Sequence, residues 1–100
     1  MSEAITEPSV TRDDDESRYE IRVDGHLAGF TEFCADDEGH LVFSHTFIER
    51  AFSGRGLGTV LVDEAMADVA RRGESVVPVC PFVARRLADH PVEGLVVERS

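Results

Sequence analysis

The sequence predicts an α+β fold of element order βββαβαβ, a mixed and largely antiparallel sheet with two helices packed on it. Three observations carry this expectation. Between residues 19 and 48, apolar side chains alternate or cluster in short runs rich in β-branched and aromatic residues. From residue 57 the apolar spacing becomes that of a helix. A short apolar run with an embedded proline then leads into a second helical stretch that begins at Pro81. One hundred residues hold one core and no second one.

Residues 1–17 contain Pro8 and the acidic run 13–16, with little apolar surface to offset ordering entropy; they read as a mobile acidic tail ahead of a domain spanning 18–100. Tyr19, Ile21 and Val23 alternate with Glu20, Arg22 and Asp24, the period of a half-buried strand. Asp24-Gly25 is a type I′ hairpin signal, so residues 27–34 read as the returning strand. The turn 36–39 and the run HLVFSHTFI at 40–48 supply a third strand and complete a meander.

Beyond the glycine-rich stretch 53–58, Leu57, Val60, Leu61, Ala65, Met66, Val69 and Ala70 fall on one helical face, with Asp63, Glu64 and Asp68 on the other. Arg71 and Arg72 suit the last turn, and Gly73 suits the position just past it. Residues 75–79 (SVVPV) read as a strand. Pro78 lacks a ladder donor and belongs at an edge or where strands splay. A helix from Pro81 to about Asp89 ends at His90-Pro91, and 94–98 reads as a last strand.

Acids number 20 against 10 bases, every base is Arg, and the net charge is −10. Such a field repels phosphate backbones and anionic membrane surfaces, which disfavours nucleic acid and membranes as partners. No apolar run approaches the roughly 20 residues that span a bilayer, and no signal pattern opens the chain, so a cytoplasmic location is expected. Cys34 and Cys80 form no CxxC pair; neither a disulfide scaffold nor a zinc site is expected, and no metal is.

The turn 53–58 joins a strand to a helix start and carries glycines at 54, 56 and 58. Glycine permits close backbone approach and positive φ, and a helix start offers unpaired N–H groups, so the turn suits a phosphate. A chain without Lys has no Walker A loop. The dinucleotide pattern GxGxxG is broken by Thr59, and the turn follows a meander, not a strand that opens a βαβ unit. A tight strand-to-helix turn that binds nothing is the plain alternative.

The segment Ile48-Glu49-Arg50-Ala51-Phe52-Ser53-Gly54-Arg55-Gly56-Leu57-Gly58 resembles the acetyl-CoA pyrophosphate loop of the GNAT N-acetyltransferases, Arg/Gln-x-x-Gly-x-Gly/Ala. Gly56 and Gly58 match; Ser53 stands where Arg or Gln is usual, leaving the cradle to the backbone. Together with His45-Thr46, the segment 77–83 and His90-Pro91, this resembles the short subfamily of about one hundred residues, from Tyr19 onward. The resemblance implies a truncated fold, without the helices that usually follow the first strand and help wall the acceptor site. That side is then open or completed by a partner chain. It also implies acetyl-CoA as donor, an unidentified amine as acceptor, the backbone groups of Phe47 and Ile48 beside the pantetheine arm, and the N–H groups of Ser53, Gly54, Arg55, Gly56, Leu57 and Gly58 on the diphosphate.

Screening beyond about 8 Å lets near charges outweigh the net sum, so Arg55 is a candidate phosphate contact, while Arg85 and Arg86 read as a solvated helix face. Cys80, as N-cap of the second helix, sits at the positive end of a dipole that favours a thiolate. It is a candidate catalytic residue, as acyl-accepting nucleophile or as proton donor to the leaving sulfur, against the alternative of a small buried hydrophobe. His45 is the other candidate, as base toward the amine or partner of Cys80, against a satisfied sheet histidine. His90 reads as a helix terminator, His26 and His40 as exposed, and Cys34 as packing. The expected function is acyl-CoA-dependent N-acyl transfer, from acetyl-CoA to an amine, by a monomer or homodimer. A non-catalytic module that binds CoA or acyl-CoA is the second reading. Thiol redox chemistry ranks last, since no resolving cysteine stands near Cys80.

Overall fold

In the computed structural model, which describes residues 7–98, one six-stranded sheet runs in chain order from edge to edge. The elements are β1 (Ser9–Asp13), β2 (Arg18–Val23), β3 (His26–Ala35), β4 (Leu41–Ile48), a 3-10 turn (Arg50–Phe52), α1 (Leu57–Arg71), β5 (Ser75–Pro78), α2 (Pro81–Asp89) and β6 (Val96–Val97). The first four strands pair antiparallel; β4 with β5 and β5 with β6 pair parallel. The α+β class and the sequence of elements from β2 onward are those the sequence predicts.

The stretch expected to be a mobile tail contains β1, which pairs with β2 from Ser9↔Arg22 to Asp13↔Arg18. Val10 packs against the core, and Arg12 bonds both carboxylate oxygens of Glu74 at 2.8 and 3.2 Å while its guanidinium lies 5.0 Å over the Phe33 ring. Here one apolar side chain and one anchored arginine hold the edge strand, and the acidic, apolar-poor composition of the segment as a whole does not reveal either. The rest of the acidic run, Asp14 to Glu16, forms the hairpin turn with Ser17, and the Glu16 N–H donates to Asp13 at the end of β1. Residues 1–6 of the expected tail lie outside the described residues.

Asp24 and Gly25 both take positive φ, 55° and 82°, as a type I′ turn requires. α1 buries Leu57, Leu61, Val62, Ala65, Met66 and Val69 on the sheet and ends in a Schellman closure, with Glu74 N–H on the Val69 carbonyl, Gly73 N–H on Ala70 and Gly73 at φ 74°. α2 adds Val83 and Leu87.

Two irregularities decide what faces where. β4 is bulged: Phe33 pairs with Phe43 and Glu32 with His45, leaving Ser44 unmatched. Leu41 and Phe43 are therefore buried under the helices. Past the bulge the alternation inverts, so Thr46 and Ile48 face the helices while His45 and Phe47 are exposed on the other side. Cys34, expected to pack, is exposed; it pairs with Val42, away from the core. The second irregularity is at Pro78. β5 pairs with β4 only from Leu41↔Val76 to Phe43↔Pro78; then the N–H groups of Val79 and Cys80 both donate to the Phe43 carbonyl, at 3.0 and 2.8 Å. β4 runs on to Ile48 while the chain after Pro78 turns into α2, and the two strands part.

Candidate functional site

The parting of β4 from β5 opens a cleft of about 340 Å³. Thr46 and Ile48 form one wall, Phe52 and the loop 53–56 the mouth, and Leu57, Gly58, Thr59 and the Phe82 ring the far side. The lining is mostly apolar, as suits the narrow arm of a ligand whose polar end lies outside.

The mouth follows from local sequence. The 3-10 turn closes with the Phe52 N–H on Glu49 and the Ser53 N–H on Arg50, whose carbonyl also accepts the Ser53 hydroxyl at 2.9 Å. Gly54 and Gly56 take φ 80° and 75°, and Gly56 is the N-cap of α1, with no side chain to satisfy the N–H groups behind it. The first intrahelical bond is Val60 N–H to Gly56 at 3.2 Å. The N–H groups of Leu57, Gly58 and Thr59 thus have no partner within the helix, and no acidic residue lies in its first turn. A helix start capped by glycine and clear of carboxylates is a receptor for an anion. Gly58 has a separate reason to be glycine: a Cβ there would meet the Phe82 ring at 3.1 and 3.3 Å, so its absence lets α1 and α2 pack at the cleft wall.

Of the residues expected to hold the donor, Ile48, Ser53, Gly54, Gly56, Leu57 and Gly58 line the cleft. Phe47 points its ring to the opposite face, where it packs on Phe30 at 5.5 Å between centroids. Its carbonyl lies so close to Gly29 that a Cβ there would collide with it. Arg55 is exposed at the lip, its guanidinium 5.4 Å over the Phe52 ring.

A second hollow of about 490 Å³ adjoins the first through Thr59 and Phe82 and is bordered by Arg85, Arg86 and Asp89. Arg86 bonds both oxygens of Asp63 at 2.8 Å, which raises its pKa and ties α2 to α1. Arg85 is largely in solvent, with Asp89 at 3.9 Å. Arg86 is therefore a clamp between helices, not a bare solvated face.

Cys80 is the N-cap of α2 and is 6% exposed. Its thiol donates to Thr46 Oγ1 at 3.5 Å, and Thr46 shares a 2.9 Å hydrogen bond with the buried Thr31 hydroxyl. His45 is exposed on the opposite face, its ring edge-on to Phe30 at 6.3 Å. The structure does not bring Cys80 and His45 together, because Thr46 and His45 are strand neighbours and point to opposite sides. Thr46 is the cleft residue whose hydroxyl sequence reasoning did not single out; its facing depends on the Ser44 bulge, which leaves no mark in the apolar pattern. Of the other histidines, His40 is held by Asp36 at 3.1 Å rather than left free, and His90 is exposed at the end of α2. Among the described residues no group of three or more His, Cys, Asp or Glu side chains is placed to hold a metal ion. None of the described helices is long and apolar enough to cross a membrane.

The family model of the GCN5-related N-acetyl-transferases matches residues 18–95. No curated protein matches the chain. Among solved structures, the fold is similar to that of a ribosomal-protein-alanine N-acetyltransferase from Brucella melitensis biovar Abortus 2308, with a TM-score of 0.52 and 21% identity. That alignment covers 75% of this chain and 60% of the other, so the chain spans less than two thirds of its neighbour's length. The match over most of the domain, on a sheet that parts at Pro78 beside a glycine-capped helix start, means that the chain belongs to the GCN5-related N-acetyltransferase family.

Proposed function

We propose that the protein is an acyl-CoA-dependent N-acyltransferase that moves an acetyl group from acetyl-CoA to an amine. The observation that carries this reading is the continuity of one cleft, from unpaired helix N–H groups at its mouth to the parted backbone of β4 at its floor. A diphosphate suits the mouth, with Arg55 free to reach it, and a pantetheine arm suits the apolar walls. Beyond the Phe43↔Pro78 pair, β4 has no neighbouring strand on its β5 side. Its backbone polar groups there are free to bond the amides of the arm, as a strand would.

Transfer requires a neutral amine. Its nitrogen attacks the thioester carbonyl carbon, the C–S bond breaks, and the proton lost from nitrogen balances the one gained by the departing sulfur. His45, on the exposed face, is assigned the first proton. Cys80, behind Thr46, is assigned to holding that hydroxyl in place by donating to it. The open face beside β4 is where an acceptor approaches, and the chain's net charge of −10 suits a cation.

The test follows free thiol release from acetyl-CoA with a panel of amines, beside thermal protection by coenzyme A. Turnover with at least one amine, lowered in Cys80→Ala while coenzyme A still binds, is the expected outcome. Binding without turnover for any amine overturns catalysis and leaves a CoA-binding module, a reading favoured by the separation of Cys80 from His45. Failure to bind coenzyme A overturns both.

A further inference from the structure

Among the described residues, the hydroxyl of Thr46 is the one side-chain oxygen at the floor of the cleft that two other groups hold in place. Thr46 is half-buried and lines the cleft, whereas Cys80 stands behind it and does not. Thr31 is fully buried and lies directly across the strand pair from Thr46.

A hydroxyl carries one donor hydrogen and two acceptor lone pairs. The Cys80 thiol, a donor at 3.5 Å, fills one lone pair of Thr46. The Thr31 hydroxyl has two places to send its hydrogen: Thr46 Oγ1 at 2.9 Å and the His45 carbonyl at 3.4 Å. The shorter contact is well within hydrogen-bond range and the longer lies at its limit. Either hydroxyl can donate in the shorter contact; where Thr31 does, both lone pairs of Thr46 are occupied and its own hydrogen is free to point into the cleft. Donors fixed before reaction and aimed at developing charge in a water-poor site are the strongest single contribution to acyl transfer.

We propose that Thr46 is a catalytic residue whose hydroxyl donates a hydrogen bond to the carbonyl oxygen of the donor thioester as negative charge builds there, with Thr31 and Cys80 as positioning residues that orient it. The assignment rests on the acetyl-CoA reading above. It gives Cys80 a use that requires no acyl-enzyme: the thiol serves as a hydrogen-bond donor to Thr46.

The experiment uses acetyl-CoA carrying a ¹³C carbonyl, bound to the full chain, with the thioester carbonyl stretch read by difference infrared spectroscopy and turnover measured in parallel. In the wild type the band falls below its position in water. In Thr46→Val it moves back up, and kcat drops by about 100-fold with the KM for acetyl-CoA within about twofold. Thr46→Ser restores both. Thr31→Val and Cys80→Ala give intermediate shifts, and neither lowers kcat further when added to Thr46→Val. A band that stays put in Thr46→Val while acetyl-CoA is bound, or an unchanged kcat, overturns the role of Thr46. Should the wild type bind acetyl-CoA and turn over no amine, the infrared shift alone decides whether Thr46 meets the carbonyl. Absence of acetyl-CoA binding overturns the reading and the inference together.

Discussion

The Tyr19 hydroxyl donates a 2.7 Å hydrogen bond to Asp68 and so locks β2 to the outer part of α1 across 49 residues of sequence. Tyr19 itself accepts from Arg12 at 3.2 Å, and Asp68 is also held by Arg71 and Arg72. One phenol thus joins an edge strand, the sheet and the long helix.

That linkage has a signature in pH. Burial, and then the bond to Asp68, push the Tyr19 phenol up to about 12 from 10.0. The folded state holds this proton more tightly than the unfolded chain. Its contribution is complete below pH 10 and is lost as pH rises from 10 toward 12. Tyr19→Phe is expected to lower stability at pH 7 by about 1–2 kcal/mol and to flatten the alkaline decline, as read by urea unfolding from pH 7 to 11.5. An alkaline decline as steep as the wild type's would count against it.

At the acid end the sign reverses. Burial raises the Glu20 and Asp68 carboxyls, but their hydrogen bonds outweigh it and hold both below their ordinary 4.5 and 3.8: Arg18 and Arg22 on Glu20, Tyr19 and the two arginines on Asp68. Their stabilisation is present above those values and is lost as pH falls through and below them. Glu20→Gln is expected to reduce the steepness of acid unfolding, and circular dichroism between pH 6 and 2 measures it.

Arg12 anchors β1 through Glu74 and the Phe33 and Tyr19 rings. Arg12→Met is expected to cost about 2 kcal/mol and to speed amide exchange selectively at residues 9–13, while the amides of β3 and α1 keep their order of protection. Uniform acceleration through the sheet would show that β1 is no separate unit.

Gly56 and Gly73 share nearly the same φ, 75° and 74°, at opposite ends of α1, and a Cβ at either meets nothing within 4 Å. Alanine at each is expected to cost a similar 1–2 kcal/mol, roughly, from the left-handed backbone alone. Coenzyme A affinity is expected to fall only for Gly56→Ala, whose methyl stands in the mouth of the cleft. Equal affinities in calorimetry would remove the backbone cradle.

Much of this fold is legible in the sequence because it is written in local chemistry. Asp24-Gly25 dictates its own turn, Gly73 its helix end, and Pro81 the start of α2 after Cys80. Pro78, which has no N–H, marks the point where β4 and β5 part. What is not legible depends on partners distant in sequence. β1 is anchored where Arg12 meets Glu74, a partner that no window around residue 12 contains. The facing of Thr46 depends on one extra residue, Ser44, opposite β3; alternation alone would put Thr46 on the exposed side and His45 toward the helices. A pairing of His45 with Cys80 is natural on that count and is not what the strand allows. The glycine loop is legible in position, but the anion site proposed for it rests on what it omits: a side-chain cap and an acidic first turn.

The most direct test of the account is amide chemical-shift mapping of the ¹⁵N-labelled chain on titration with coenzyme A. The expected result is that Leu57, Gly58 and Thr59 shift most, with Ile48 following, at one saturating stoichiometry. Largest shifts on the β1–β2 side of the sheet, or none at any residue, would contradict it.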